Sequence, residues 1–265
     1  IWIGTDGVGI DMMEATTGTI FHFPRDFENR NDLSFGSVYS ICVDSYNDIW
    51  LGTSGYGVVH LKVTRTSNGK YRLQEYGQIK HSGKADQISI KSNIVYTILE
   101  ERPNILWFGT RGGGIYRYNS LTKKIEEHVH ASGDKRNRLC NDDVLSMYLD
   151  KPDHLWIGSS GGLNRLNLHT KPYRIDHFTQ HEGLTNNTIH AIQEDYQNNV
   201  WLSTNQGLVM YKRSSNTFKN FDTNDGLQNN EFTDGGSFKS PFSEKLFFGG
   251  VDGLDIVYPT KLDTT

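Results

Sequence analysis

The sequence predicts an all-β fold, a β-propeller of four-stranded antiparallel blades, and three observations carry that prediction. First, one aromatic-centred phrase recurs six times: Ile1-Trp2-Ile3-Gly4-Thr5, Ile49-Trp50-Leu51-Gly52-Thr53, Ile105-Leu106-Trp107-Phe108-Gly109-Thr110, Leu155-Trp156-Ile157-Gly158-Ser159, Val200-Trp201-Leu202-Ser203-Thr204 and Leu246-Phe247-Phe248-Gly249-Gly250. Second, the anchors Trp2, Trp50, Trp107, Trp156, Trp201 and Phe247 are spaced by 48, 57, 49, 45 and 46 residues. A period in this range marks a repeat architecture. Third, 27 Gly, 13 Tyr and 13 Phe beside only 6 Pro suit many short strands joined by tight turns.

The fourth repeat shows the plan of a blade. Residues 144–149, Val-Leu-Ser-Met-Tyr-Leu, form a mostly apolar inner strand, and a turn at 150–154 follows. The Leu155-Trp156-Ile157-Gly158 strand comes next, then a Ser-Ser-Gly-Gly turn at 159–162. Residues 163–167 alternate apolar and polar, as a half-buried strand does. A second turn leads to an outer strand at 173–178. Hairpin-length connections throughout force an antiparallel meander. The other inner strands fall at 38–43, 94–99 and 189–192, and more polar outer strands at 20–23, 71–76, 124–128 and 218–221. The first repeat lacks an inner strand and the last an outer one, giving 22 strands in five to six blades. The chain therefore reads as a single propeller domain over residues 1–265. It starts inside a repeat, as a fragment of a larger, seven-bladed propeller would.

The turns have chemistry of their own. Asp44, Glu101, Asp150 and Asp195 stand six residues before the tryptophan, and Asn47, Asn104, Asp153 and Asn198 three before it. Asn and Asp tolerate the left-handed conformation, and the acid can close the turn by accepting backbone N–H bonds. The last repeat departs, with Pro241 and Glu244 at these places. The turn after the tryptophan strand is one residue longer in the first three repeats than in the last three. The surplus in the 57-residue spacing is expected in a polar loop at 77–87.

Several function classes are disfavoured. Net charge is −4, without a basic stripe for nucleic acid, and no apolar run approaches the ~18 residues of a membrane span. Gly109-Thr110-Arg111-Gly112-Gly113-Gly114 lacks the Lys-Ser/Thr of a phosphate loop, and a strand follows it where such a loop needs a helix. No nucleophile elbow or metal-ligand spacing emerges, so no catalytic residue, metal or cofactor is expected. His128 with His130, and His177 with His181, read as outer-strand histidines. Cys42 lies in an apolar run and Cys140 in a polar connection, with nothing to pair them.

The positive expectation is a binding surface. In a propeller the turn after the tryptophan strand and the loop before the inner strand share one face. Tyr56, Arg111, Asn205, Gln206 and Asp252 belong to the first set, with Asp6 and Ser160; Asp142 and Asn187 belong to the second, with Asn93, Asn141, Asn230 and Glu231. Such groups suit a polyhydroxylated or acidic ligand. Tyr56 and Arg111 stand out because neither is required by its turn.

The run Asn141-Asp142-Asp143-Val144, then Asp150, Leu155-Trp156-Ile157-Gly158 and Gly161-Gly162-Leu163-Asn164-Arg165-Leu166 resembles the two-component regulator propeller repeat. Asn or Asp replaces the family's usual turn Gly, and Ser203 replaces Gly in the fifth repeat. The resemblance implies the periplasmic sensor of a hybrid two-component receptor, with an immunoglobulin-like module, a membrane span and a histidine kinase elsewhere in the parent chain. Residues 248–259 resemble the hand-over to that sandwich. It also implies an oligosaccharide ligand and an adjacent propeller as partner; a homodimer goes with the scaffold alternative. The competing readings are a propeller glycosidase or lyase and a protein-binding scaffold.

Overall fold

Hairpin connections pair each strand with its neighbour in sequence, so each repeat makes one antiparallel sheet. In the computed structural model, which describes residues 1–7, 9–23, 36–67, 69, 71–83, 88–150 and 152–262, this yields 22 strands and almost no helix. They form the blades of a β-propeller, sheets of three or four antiparallel strands, in two compact units.

The first unit spans Ile1–His128. It holds a three-stranded sheet of β1 (Trp2–Gly4), β2 (Ile10–Met13) and β3 (Ile20–Phe23). A four-stranded blade follows, β4 (Val38–Val43), β5 (Ile49–Thr53), β6 (Val58–Arg65) and β7 (Tyr71–Ile79). The next is β8 (Val95–Arg102), β9 (Ile105–Thr110), β10 (Gly114–Asn119) and β11 (Lys124–Val129). The second unit spans Val129–Thr265. Its blades are β12 (Val144–Asp150), β13 (His154–Ser159), β14 (Gly162–Asn167) and β15 (Ile175–Phe178), then β16 (Ile189–Glu194), β17 (Val200–Thr204), β18 (Gly207–Lys212) and β19 (Thr217–Phe221). A three-stranded sheet, β20 (Phe232–Lys239), β21 (Leu246–Gly250) and β22 (Gly253–Val257), precedes the short helix α1 (Pro259–Leu262).

The tryptophan strand is buried along its whole length in β5, β9 and β17. Trp50, Trp107, Trp156 and Trp201 are at most 2% exposed. Trp50 packs with Phe108 and Tyr118 of the following blade, Trp156 with Tyr211, and Trp201 clusters with Phe232 and Phe248. Three tryptophans thus occupy equivalent niches between successive sheets, which is where the largest apolar side chain fills most space.

The turn acids do more than close turns. Asp44 Oδ1 accepts the N–H of Tyr46 and Asp48, and Asp195 Oδ1 those of Gln197 and Asn199. The second oxygen of each accepts the indole N–H of its own tryptophan at 2.8 Å. Glu101 makes the same indole bond to Trp107, also at 2.8 Å. The offset of six residues therefore secures the tryptophan as well as the hairpin. The fourth blade differs. Asp150 pairs with Arg213 at 2.6 Å, and Trp156 Nε1 has no acceptor among the described residues. Asn47, Asn104 and Asn198 adopt φ of 61°, 68° and 65°, as their position demands; Asp153 does not.

The two turn lengths are reproduced in the hydrogen bonds. Thr5, Thr53 and Thr110 donate to the carbonyl four residues on, Ser159 and Thr204 to the one three residues on. The surplus of the second repeat is placed differently from the sequence expectation. Residues 77–79 extend the nine-residue β7, which pairs along the whole of the eight-residue β6, because continued pairing satisfies backbone groups that a loop would leave to water. Residues 84–87 of the expected loop lie outside the described residues. A register shift near the start of each inner strand, at Val38/Ser40, Val95/Thr97, Val144/Ser146, Ile189/Ala191 and, more widely, Phe232/Ser237, has no signal in the sequence.

Candidate functional site

The expected rim forms blade by blade. The N–H groups of Gly55 and Gly57 bond Asn93 O, and Arg111 N–H bonds Ile94 O, so the Tyr56 and Arg111 turns flank one segment. Both residues are exposed, with side chains free of hydrogen bonds among the described residues. In the second unit, Ser160 N–H bonds Asp143 O, Gly207 N–H bonds Asn230 O, and Val251 N–H bonds Glu231 O.

The polar members of the second set are engaged in holding their loops. Asn93 Oδ1 accepts His81 N–H, Asp142 Oδ1 accepts Ala131 N–H, and Asn187 and Asn230 accept Gln180 and Thr223 N–H. Asn187 and Asn230 each brace a capped 3-10 turn, built on Thr179 with Glu182 and on Asp222 with Asp225. Asp252 is bonded by Asn229, and Gln206 is exposed with only its backbone N–H engaged, to Thr204.

Asn205 joins a cluster the sequence did not reveal. His190 sets Nδ1 against Asp234 Oδ1 at 2.5 Å and Nε2 against Asn205 Oδ1 at 2.7 Å. Burial opposes the imidazolium, but the two acceptors outweigh it and raise the histidine above its usual range. The cluster ties β16 to β20, two neighbouring blades of one unit.

A cavity of about 740 Å³ lies elsewhere, in the seam between β4–β7 and β8–β11. It is framed by the β4–β5, β8–β9 and β10–β11 hairpins, at the ends of β5 and β9 opposite Tyr56 and Arg111. None of the seven rim residues lines it. Its floor is aromatic. Register places His60 directly across from Trp50, and the rings stack at 3.9 Å and 9°. Tyr118 meets Trp50 edge-on at 5.9 Å. Tyr76 meets His60 edge-on at 5.2 Å. Tyr76 is the extra residue of a β-bulge: His60 pairs with Gly77 and Leu61 with Glu75. A bulge re-aims the side chain it carries; here Tyr76 stays 53% exposed at the groove.

Polar groups surround this floor. Asp48 Oδ2 lies 2.9 Å from His60 Nε2 and 3.9 Å from Lys62 Nζ. Burial holds His60 below its usual range, outweighing the pull of Asp48. Tyr46, Asn104, Ser120 and Lys123 come from the hairpin tips, and Asn104 Nδ2 donates to Tyr46 Oη at 2.9 Å. Asp44, Asp48 and His60 each bring one ligand atom within 4.8 Å of the others. A cation there would have to displace the Asp44–Trp50 and Asp48–His60 bonds, so the trio reads as hydrogen-bonded framework. The paired histidines of the outer strands also separate. His128 stacks on Tyr116 and bonds Gly113 O, His130 meets Ser132, His177 bonds Arg138 O, and His181 meets Glu182.

Residues 32–55, 138–161 and 183–206 match the family described as two-component regulator propeller. The matched segments fall in the second, fourth and fifth repeats. The chain is 27% identical, over 99% of its length, to histidine kinase P4 of Formosa agariphila, and spans 22% of that kinase. Two solved structures from Bacteroides thetaiotaomicron share the fold of these repeats. The extracellular domain assigned to the hybrid two-component system BT3049 aligns at TM-score 0.53 and 21% identity, over 99% of this chain and 38% of that one. The extracellular domain assigned to BT4673 aligns at TM-score 0.61 and 16% identity, over 98% of this chain and 46% of that one. No helix among the described residues is long and apolar enough to cross a membrane.

The groove escaped the sequence reading because its residues come from four strands and three hairpins. Comparison between repeats holds one usable signal. The residue across from the tryptophan is Arg117, Arg165 or Met210 in three other blades, and His60 here.

Proposed function

We propose that this chain is a non-catalytic ligand-sensing propeller in the periplasmic part of a hybrid two-component receptor. It binds an oligosaccharide in the groove between β4–β7 and β8–β11 and biases a downstream histidine kinase. One observation carries the reading: a stacked Trp50–His60 floor, with Tyr76 and Tyr118 at its edge, ringed by amide, hydroxyl, ammonium and carboxylate groups. Aromatic faces accept the apolar C–H faces of a pyranose, while convergent polar groups take its hydroxyls. The relatives named above, described as a histidine kinase and as extracellular domains of two-component systems, support the signalling context. Binding that favours one packing of the blades shifts the population of receptor states by its differential affinity.

A panel of oligosaccharides, followed by thermal unfolding and by chromatography of the sugars, tests this. A ligand at a hundred times its Kd stabilises by about 2.7 kcal/mol. The expected result is a raised midpoint without sugar turnover, abolished in Tyr76→Ala. Turnover would favour a propeller glycosidase or lyase. Self-association without any sugar effect would favour a scaffold.

A further inference from the structure

Two backbone irregularities converge on the groove, and both deliver side chains to one point. The β-bulge presents Tyr76. The other is Lys123, in the four-residue turn between β10 and β11, with φ of 54°. The corresponding turn between β18 and β19 uses Asn216, at φ of 56°. Asparagine tolerates this left-handed conformation, whereas lysine adopts it at a conformational cost. A lysine held there calls for a compensating role, and its side chain shows one. Lys123 Nζ lies 5.6 Å from the centre of the Tyr76 ring, across the seam between the two blades. Lys62 Nζ lies 4.2 Å from the same ring.

Of the two ammonium groups beside this exposed ring, Lys62 has Asp48 at 3.9 Å. The nearby acids are otherwise engaged. Asp44 accepts two backbone N–H groups and the Trp50 indole, and Asp48 faces His60 and Lys62. Lys123 takes no carboxylate partner among the described residues, although Asn104 and Ser120 line the groove beside it.

We infer that the groove selects an acidic saccharide, with the sugar ring on Tyr76 and its carboxylate or sulfate held by Lys123 and Lys62. The inference rests on the groove being a saccharide site. It adds that the ligand's charge, and not its hydroxyls alone, is read. Carboxylate and sulfate share the needed chemistry, a compact oxyanion accepting charge-assisted hydrogen bonds.

Calorimetric titration of the 265-residue chain with neutral, uronate-containing and sulfated oligosaccharides of equal length tests it, with Lys123→Asn as the variant. Asparagine is the residue the sister turn already uses, so the variant's thermal midpoint should equal or exceed that of the parent chain. The wild type should bind one acidic class about tenfold or more tighter than neutral sugar, the scale of one hydrogen bond to a charged group. That preference should weaken with added salt and collapse in Lys123→Asn. The better of the two acidic arms identifies the oxyanion. Equal affinity for neutral and acidic sugars, unchanged in Lys123→Asn, would overturn the inference while leaving the groove as a saccharide site. No binding of any class, in wild type and Tyr76→Ala alike, would overturn both.

Discussion

Replacing Asp195 with alanine removes one buried carboxylate from four donors at once. The side chain accepts Gln197 N–H at 2.8 Å, Asn199 N–H at 2.9 Å, Asn199 Nδ2 at 2.9 Å and Trp201 Nε1 at 2.8 Å, in a residue 1% exposed. Each bond to a charged acceptor is worth about 1.5–3 kcal/mol, and alanine leaves its donors without a partner. Removing the carboxylate also relieves its own desolvation cost of several kcal/mol. The balance is a loss of about 3–5 kcal/mol. Asp150→Ala is the internal control. Among the described residues that carboxylate has one side-chain hydrogen-bond partner, Arg213 at 2.6 Å, and Arg213 keeps Glu194 at 2.9 Å. The pair is partly exposed, so its loss should cost about 1 kcal/mol or less. Urea titration of the three proteins, compared by midpoint at common slope, measures both. An Asp195→Ala loss below about 1 kcal/mol, or equal losses for the two variants, would refute the claim that the acid secures its tryptophan.

Trp50→Ala should destabilise by roughly 3–5 kcal/mol, read by urea titration, because the indole is 2% exposed between two sheets. Gly207→Ala should prevent native folding or cost several kcal/mol: φ is 90° and an added Cβ would stand 2.0 Å from Phe221 O. Gly112→Ala, at φ 69° in open space, should cost only about 1–2 kcal/mol, the strain of a non-glycine residue there; thermal midpoints separate the two. His60, held below its usual range by burial, contributes stability that is full above about pH 6.5 and declines as pH falls through its folded value. Compared with His60→Gln, the wild type should lose more stability between about pH 6.5 and 5. His190, raised by Asp234 and Asn205, has the opposite sign: its contribution is present below about pH 6.5 and lost as pH rises through its folded value. His190→Gln should therefore be most destabilising at acid pH.

Local chemistry was the legible part. The recurring tryptophan phrase, period-two alternation and Asn/Asp turns located the inner and outer strands to within a few residues, and counted 22 of them. Turn length was readable because each glycine must supply a positive φ at a set place. Within each unit the turns and loops of adjacent blades were legible as neighbours, but not as a site. Asn187 and Asp142 prove to cap loops, whereas nothing among the described residues engages the Tyr56 and Arg111 side chains. The β7 extension was misplaced because Gly77 reads as a loop residue until its pairing with His60 is known. The Trp–acid bond was hidden for a similar reason: six residues of separation became contact only through the hairpin between them.

Taken alone, the sequence determined the blade: its strands, their order, their turns and the apolar wedge each tryptophan must fill. These follow from nearest-neighbour sterics and burial period, which act within some 45 residues. Only the tertiary structure decided what stands beside what across a seam between blades. Cross-strand register set His60 on Trp50, a bulge turned Tyr76 outward, and a left-handed lysine from the next blade reached its ring. Such juxtapositions depend on how two sheets stack, and side chains about 50 residues apart carry no local signal of it.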